Sequence, residues 1–199
     1  LDNVVSYFDA IAPSWDKKIQ VDYRLIKNIL QEVQSPTGPF KSILDIGCGT
    51  GTLFPLLLER LQENGTLWGL DPSAKMLEVA SAKFNDPRIK LIKAFSENIP
   101  IEDESIDLIT VFSCFPHLED KRACLKEWFR VLVPKGMAFV FHSQSREKIN
   151  SIHKALPSPI NNHLLDCAET VAQWASEEMF SVLKTQDDDT MYLLILQKP

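Results

Sequence analysis

The sequence predicts an α/β fold: a three-layer αβα sandwich around a mostly parallel sheet of about seven strands, closed by an antiparallel C-terminal hairpin. Three observations carry this. Short apolar runs alternate with helix-period segments between residues 43 and 142, the order that builds a parallel sheet with crossover helices. A turn carrying Gly47, Gly49 and Gly51 joins the first apolar run to the first of these helices. The last two apolar runs, 180–185 and 191–196, flank the polar stretch 186–189, which is a hairpin pattern. At 199 residues the chain has the length of one domain with helices on both sheet faces. Its expected parts are a helical lead-in (1–34), a core (42–142), a variable segment (143–178) and the hairpin (179–197).

Taken in order, residues 1–34 read as two helices separated near Ala12-Pro13-Ser14. Val4, Val5, Phe8 and Ile11 mark the apolar face of the first; Tyr23, Ile26, Ile29, Leu30 and Val33 mark that of the second. Ser35-Pro36-Thr37-Gly38-Pro39 is a breaker. The first strand, 43–46, is apolar except for Asp45, and Phe54, Leu57, Leu58 and Leu61 then recur on one helix face. A turn at Asn64-Gly65 leads to strand 66–70, which ends at Asp71. A helix bearing Met76, Leu77, Ala80 and Phe84 stops near Asn85-Asp86-Pro87, ahead of strand 89–93. Strand 108–112 is followed by a helix with Leu125, Trp128, Phe129 and Leu132 facing inward. Pro134-Lys135-Gly136 then turns the chain into strand 138–142. Helices are expected at 145–155 and 164–178, parted by Leu156-Pro157-Ser158-Pro159.

Composition narrows the function. The net charge is −6 with no basic block, so a nucleic-acid partner is not expected. Cys48, Cys114, Cys124 and Cys167 lack C-x-x-C spacing and fit a reduced, cytoplasmic protein. No apolar run nears the ~18 residues of a membrane span, and the start Leu1-Asp2-Asn3 lacks a signal-peptide pattern.

A strand, a glycine turn and a helix bring backbone close to a nucleotide-like ligand at the carboxyl edge of a sheet. A dinucleotide fingerprint places its third glycine three residues after the second; that position is Thr52 here, and the third glycine comes early at Gly51. The pattern Asp45-x-Gly47-x-Gly49-x-Gly51 resembles motif I of the class I S-adenosyl-L-methionine (SAM) dependent methyltransferases, whose fold is Rossmann-like. The resemblance implies that SAM is the cofactor and S-adenosyl-L-homocysteine (SAH) the product. It implies a loop of Asp45, Gly47, Cys48, Gly49 and Gly51 under the methionine part, with Asp45 ordering the loop and the amino end.

Asp71 lies 20 residues beyond Gly51, where an acid accepts bonds from both ribose hydroxyls; the alternative is a helix-capping role. The resemblance implies that Pro72 and Met76 after it bind the cofactor, Met76 at the adenosine; the alternative for Met76 is a core helix residue. Residues 94–107 resemble the family's "GDAExLPFxDxSFD" segment around the adenine, with Ala94 and Phe95 replacing the usual Gly and Asp. Adenine recognition then rests on stacking by Phe95 and on the backbone at Ser96. Ser113 opens the segment after the fourth strand at the same carboxyl edge. Residues 7–16 resemble the "FDxxAxxWD" lead-in that folds over the cofactor as a lid; the alternative, favoured for most of them, is an amphipathic helix capping the sheet, while Tyr7 and Trp15 offer aromatic faces to a sulfonium for ~0.5–2 kcal/mol. Arg130–Met137 resembles the structural "RVLKPGG" turn.

Methyl transfer requires alignment, worth ~7–11 kcal/mol in favourable cases, and for some acceptors a base. His117 and His142 are the candidate bases; the alternatives are that His117 orders its loop and that His142 bonds to backbone. His142, His153, His163, Cys114 and Cys167 match no metal-ligand spacing, so no metal is expected. Arg146 and Lys148 either hold an anionic acceptor or form a solvated helix face. The expected function is methyl transfer to a small-molecule acceptor. The alternatives are a non-catalytic SAM- or SAH-binding regulatory module, aminopropyl transfer on the same fold, and an NAD-dependent oxidoreductase, which Thr52 disfavours. Oligomeric state leaves no mark in the sequence.

Overall fold

The computed structural model describes residues 2–19, 21–31 and 39–199. Val33 and the breaker at residues 35–38 lie outside them. The lead-in is more segmented than two helices: α1 (Asp2–Ile11), a 3-10 turn (Ala12–Ser14), the short α2 (Trp15–Lys18) and α3 (Tyr23–Gln31). Pro13 sits at the start of the 3-10 turn, where its missing N–H costs nothing. There follow β1 (Phe40–Ile46), α4 (Phe54–Leu58), β2 (Leu61–Leu70), α5 (Ala74–Lys83), β3 (Ile89–Ile92), β4 (Ile106–Phe112), α6 (Lys121–Val131) and β5 (Leu132–His142). The chain ends with α7 (Arg146–Lys154), α8 (Ala168–Glu177), β6 (Ser181–Asp187) and β7 (Tyr192–Gln197).

The seven strands form one sheet in the order β3-β2-β1-β4-β5-β7-β6. β1 to β5 pair in parallel, while β7 runs antiparallel to both β5 and β6. The expected fold class is therefore observed, hairpin included. Side chains alternate between two cores: Leu44 and Ile46 on one face and Ile43 on the other, Ala138 and Val140 against Phe139 and Phe141. α6 and α8 cover the first face through Leu125, Trp128, Val131, Val171 and Ala175. α3, α4 and α5 cover the second through Ile26, Ile29, Leu57 and Leu77. Strands buried on both faces read as unbroken apolar runs, which is why they were legible.

Two turns are absorbed into strands. α4 ends at Leu58, and Leu61, expected on its face, instead opens β2 opposite Phe40. Pairing then jumps from Phe40↔Leu61 to Ser42↔Thr66, so Asn64-Gly65 lies in a bulge within β2. β5 repeats the device: pairing jumps from Ile106↔Leu132 to Leu108↔Met137, with Lys135 in the left-handed region (φ 67°). Leu61 and Leu132 satisfied helix spacing and strand spacing at once, and sheet pairing decided between them.

α8 begins at Ala168, four residues later than expected. The side chain of Asn150 on α7 explains this: its amide donates to the Leu165 carbonyl (3.1 Å), and its oxygen accepts from the Leu165 N–H (2.7 Å). Both backbone polar groups of Leu165 are thus tied to Asn150.

Strand order reverses between β1 and β4: from β1 the chain goes outward to β2 and β3, then returns to place β4 on the other side. The crevice outside the carboxyl ends at such a point is where open α/β sheets bind ligands.

Candidate active site

A cavity of about 330 Å3 opens at that point. Its floor is the end of β1 and the glycine loop, from Asp45 to Gly49. Its sides are Asp71, Pro72 and Met76 after β2, Phe95 and Ser96 after β3, and Ser113 and Cys114 after β4. Its roof is the lead-in, through Val4, Val5, Phe8 and Trp15. Its far end holds His117, His142, Ile149, Ile152 and His153.

Gly47 has φ 64°, and a Cβ there would lie 2.1 Å from the Cys114 sulfur. Only glycine lets the β1 and β4 loops approach this closely. Gly51 lies off the cavity wall; its absent Cβ makes room for Phe54 and Phe84, each 2.7 Å from where that atom would be. Behind the loop it lets these two rings pack closely. Tyr7 is also off the wall, its ring edge-on to Phe8, whereas Trp15 reaches the cavity.

Asp71 holds the loop by its backbone: Oδ2 accepts from Gly49 N–H (2.9 Å) and Oδ1 from Ser73 N–H (2.8 Å). Asp45 is buried and accepts one hydrogen bond, from the Thr110 hydroxyl at 2.7 Å. Burial, more than any neighbour, pushes Asp45 up to about 7 and Asp71 up to about 6. Among the described residues no lysine or arginine compensates either group. Two buried carboxyls without a cation, beside a left-handed glycine loop, fit a ligand that brings positive charge. The ammonium and sulfonium of SAM meet that requirement.

Ser96 is buried, and its hydroxyl accepts from Trp128 Nε1 (2.8 Å). Arg130 fixes the same loop by donating to the Ile99 and Ile101 carbonyls while pairing with Glu127 and Asp103. Phe95 is partly exposed at the cavity mouth, free to stack. Ser113, at φ 53°, adopts a left-handed conformation uncommon for a residue with a side chain.

Sequence reasoning missed two aspartates of the lead-in. Asp9 accepts from the Ser73 hydroxyl (2.5 Å) and the Lys75 N–H (3.2 Å) at the start of α5. Asp16 accepts from the Thr50 hydroxyl (2.5 Å) and pairs with Lys83 (2.8 Å). Together they fasten the roof to the elements that carry the glycine loop. Their presence in the 7–16 segment was the available signal.

Both candidate bases reach the cavity. His142, at the end of β5, is buried with neither ring nitrogen partnered among the described residues, which removes the backbone-bonded alternative. Burial lowers it to about 3. His117 is half-buried, its Nδ1 sealed and unpartnered, and burial, followed by the neighbouring imidazoles, holds it well below the ordinary histidine range. Both are neutral imidazoles at pH 7. All four histidines of the chain gather here: the His117 ring lies 5.0 Å from that of His153 and 5.5 Å from that of His163. The ring planes are tilted to each other by 31° and 37°.

Cys114 lines the cavity, whereas Cys167 lies apart, its thiol donating to Glu169. Among the described residues the group with ligand atoms within 4.8 Å of one another is Cys167, Glu169 and Asp187. Asp187 is already engaged by Arg146 (2.7 Å) and the Ala168 N–H, so Arg146 is tied to β6. No described helix is long and apolar enough to cross a membrane.

A sheet with this switch point, glycine loop and pair of buried acids defines a Rossmann-like nucleoside-binding domain. A family profile described as "Methyltransferase domain" matches residues 43–136. The ubiquinone/menaquinone biosynthesis C-methyltransferase UbiE of Campylobacter jejuni is 31% identical over 157 residues, covering 74% of this chain and 66% of the relative. The chain thus spans just under two thirds of that relative's length. A SAM-dependent methyltransferase from Aquifex aeolicus superposes with a TM-score of 0.75 at 20% identity, covering 94% and 98% of the two chains. A chain of the complex between the Haloferax volcanii Trm112 methyltransferase activator and its putative methyltransferase gives 0.78 at 19% identity, covering 96% and 97%. The chain carries a methyltransferase domain of the class I SAM-dependent kind.

Proposed function

We propose that the protein transfers a methyl group from SAM to a small ring acceptor of the quinone or hydroquinone type. The observation that carries this reading is the charge arrangement of one cavity: buried acids without a cation at the glycine loop, neutral imidazoles at the opposite end. Asp45 and Asp71 face the end suited to a cation, with Gly47, Cys48, Gly49, Pro72 and Met76 shaping its wall. Phe95 and Ser96 line the adenine side, and Ser113 lies at the strand end between the two halves.

SAM supplies an activated methyl carbon when bound. The chain's residues align the two reactants, exclude water beneath the Phe8–Trp15 roof and take up a proton from the acceptor. His117 and His142 are the candidates for that proton, and Val4, Val5, Ile149 and Ile152 offer apolar walls to a ring. The UbiE relative's carbon acceptors in quinone biosynthesis support the acceptor class. Four free cysteines agree with a reducing compartment such as the cytoplasm.

Calorimetric titration with SAH tests the cofactor half, with NAD as control and Asp71→Ala alongside. Expected are binding near 1 μM, about −8 kcal/mol, strong weakening in the variant, and no heat with NAD. Absence of SAH binding by the wild-type protein would remove the cofactor assignment and the transfer with it. Binding of SAH without turnover of any reduced naphthoquinone would favour the regulatory reading.

A further inference from the structure

The histidine cluster has an internal order that the two candidate bases do not use. His153 Nδ1 is hydrogen-bonded to the backbone carbonyl of His163. His163 Nδ1 is hydrogen-bonded to the carbonyl of Pro116 at 3.2 Å. A carbonyl oxygen only accepts, so both histidines carry a proton on Nδ1, and in the neutral form Nε2 is the lone pair. The chain closes on itself: Pro116 precedes His117, and the His117 ring lies tilted against both His153 and His163. Asn150, one helical turn before His153, clamps Leu165 and so fixes the segment that supplies the His163 carbonyl.

His153 lines the cavity and His163 stands behind it. With an acceptor carbonyl on Nδ1, His153 has the arrangement that orients an imidazole as a base and shares out the charge it gains. Among the described residues, His117 and His142 lack any such partner on their buried ring nitrogens Nδ1 and Nδ1/Nε2 respectively. A proton placed on either would be a buried charge with nothing to stabilise it.

We propose that His153 is the acceptor-side base, that His163 is its positioning residue, and that the imidazole-lined end of the cavity is a subsite for an ionisable ring hydroxyl. This rests on the methyl-transfer reading for its reaction and deepens it by naming the group recognised. In the step, the acceptor's O–H bond breaks and its electron pair stays on oxygen. The proton forms an N–H bond at His153 Nε2, giving an imidazolium whose Nδ1–H remains on the His163 carbonyl. No atom changes oxidation state. His117, whose Nδ1 is sealed, is left to hydrogen-bond a ring oxygen through Nε2.

The test uses 4-nitrophenol, whose phenolate absorbs apart from the phenol. The full chain is titrated with this probe, with and without SAH, at a pH where the free probe is mostly protonated. Binding is expected to raise the phenolate-to-phenol ratio about tenfold, the equivalent of about 1.4 kcal/mol. His153→Gln should lose that rise while keeping SAH affinity and thermal unfolding unchanged. Glu119→Gln, removing the exposed carboxylate at the cavity rim, should leave it intact. A rise that survives His153→Gln, or that vanishes in Glu119→Gln, overturns the assignment. A probe that binds as the phenol, or does not bind, overturns it as well. Long-range 1H–15N spectra of the wild-type protein give a check free of substitutions: His153 and His163 must be Nδ1–H tautomers, and an Nε2–H signal for His153 refutes the proposal. SAH binding is read separately by calorimetry, so a protein that binds SAH but not phenolate refutes this subsite alone.

Discussion

The Thr110 hydroxyl donates a 2.7 Å hydrogen bond to Asp45 across the β1/β4 boundary, where the two residues are register partners. This single bond spans the line at which strand order reverses. It leaves most of the buried Asp45 carboxyl unsatisfied and directed to a cavity it shares with Asp71. The site is thereby prepared for a cation at some cost to the free protein.

That cost makes cofactor binding proton-linked. In the free protein burial raises Asp45 to about 7 and Asp71 to about 6. The ammonium of SAH favours the carboxylate form and lowers these values, so binding near neutral pH releases protons. SAH affinity should therefore rise with pH between about 5.5 and 8 and level off above the higher value. Calorimetry in buffers of differing ionisation enthalpy reads the proton count directly; a flat profile with no protons released would contradict it. The same two groups act on folding with the opposite slope. Their folded values exceed the ordinary ~3.9 of an aspartate, so the folded state holds more protons, and their contribution is greatest below pH 4 and lost as pH rises toward 7.

Gly47→Ala should fold poorly. The left-handed φ costs a side chain ~1–2 kcal/mol, and the Cys114 sulfur stands 2.1 Å from the new methyl. A loss of at least ~2 kcal/mol in urea unfolding is expected. Adding Cys114→Ala should recover the steric part and leave the backbone part. A double variant no better than the single would show that the clash is relieved by loop movement instead.

Asp16→Ala should loosen the roof without touching the cavity floor. It removes the Thr50 and Lys83 partners of α2. One such hydrogen bond is worth ~0.5–1.5 kcal/mol, so SAH should bind about 2- to 10-fold more weakly. Proteolytic cleavage within the lead-in should quicken, and the unfolding midpoint of the core should stay put. Unchanged protease sensitivity would mean that Asp9 alone fastens the roof.

Much of the fold was legible because its signals are local. Strands buried on both faces appear as apolar runs, and helices with one buried stripe repeat every three to four residues. The lead-in's two aspartates were visible as part of a segment, yet their partners Ser73 and Thr50 lie 64 and 34 residues away. The bulges at Gly65 and Gly136 look like plain turns along the chain because pairing across strands, not local propensity, continues β2 and β5 through them.

By itself the sequence determined the order of strands and helices, the glycine loop with its early third glycine, and the acids Asp45 and Asp71. These depend on residue type and on spacing over a few positions, which a chain displays before it folds. Only the tertiary structure decided which glycines touch the cavity, how the lead-in is fastened, and that four histidines from four separate segments meet at one end of it. Such meetings are set by strand order and by side chains such as Asn150 that hold distant backbone. Their physical cause is the closure of the sheet at its switch point, which brings together residues that no spacing along the chain connects.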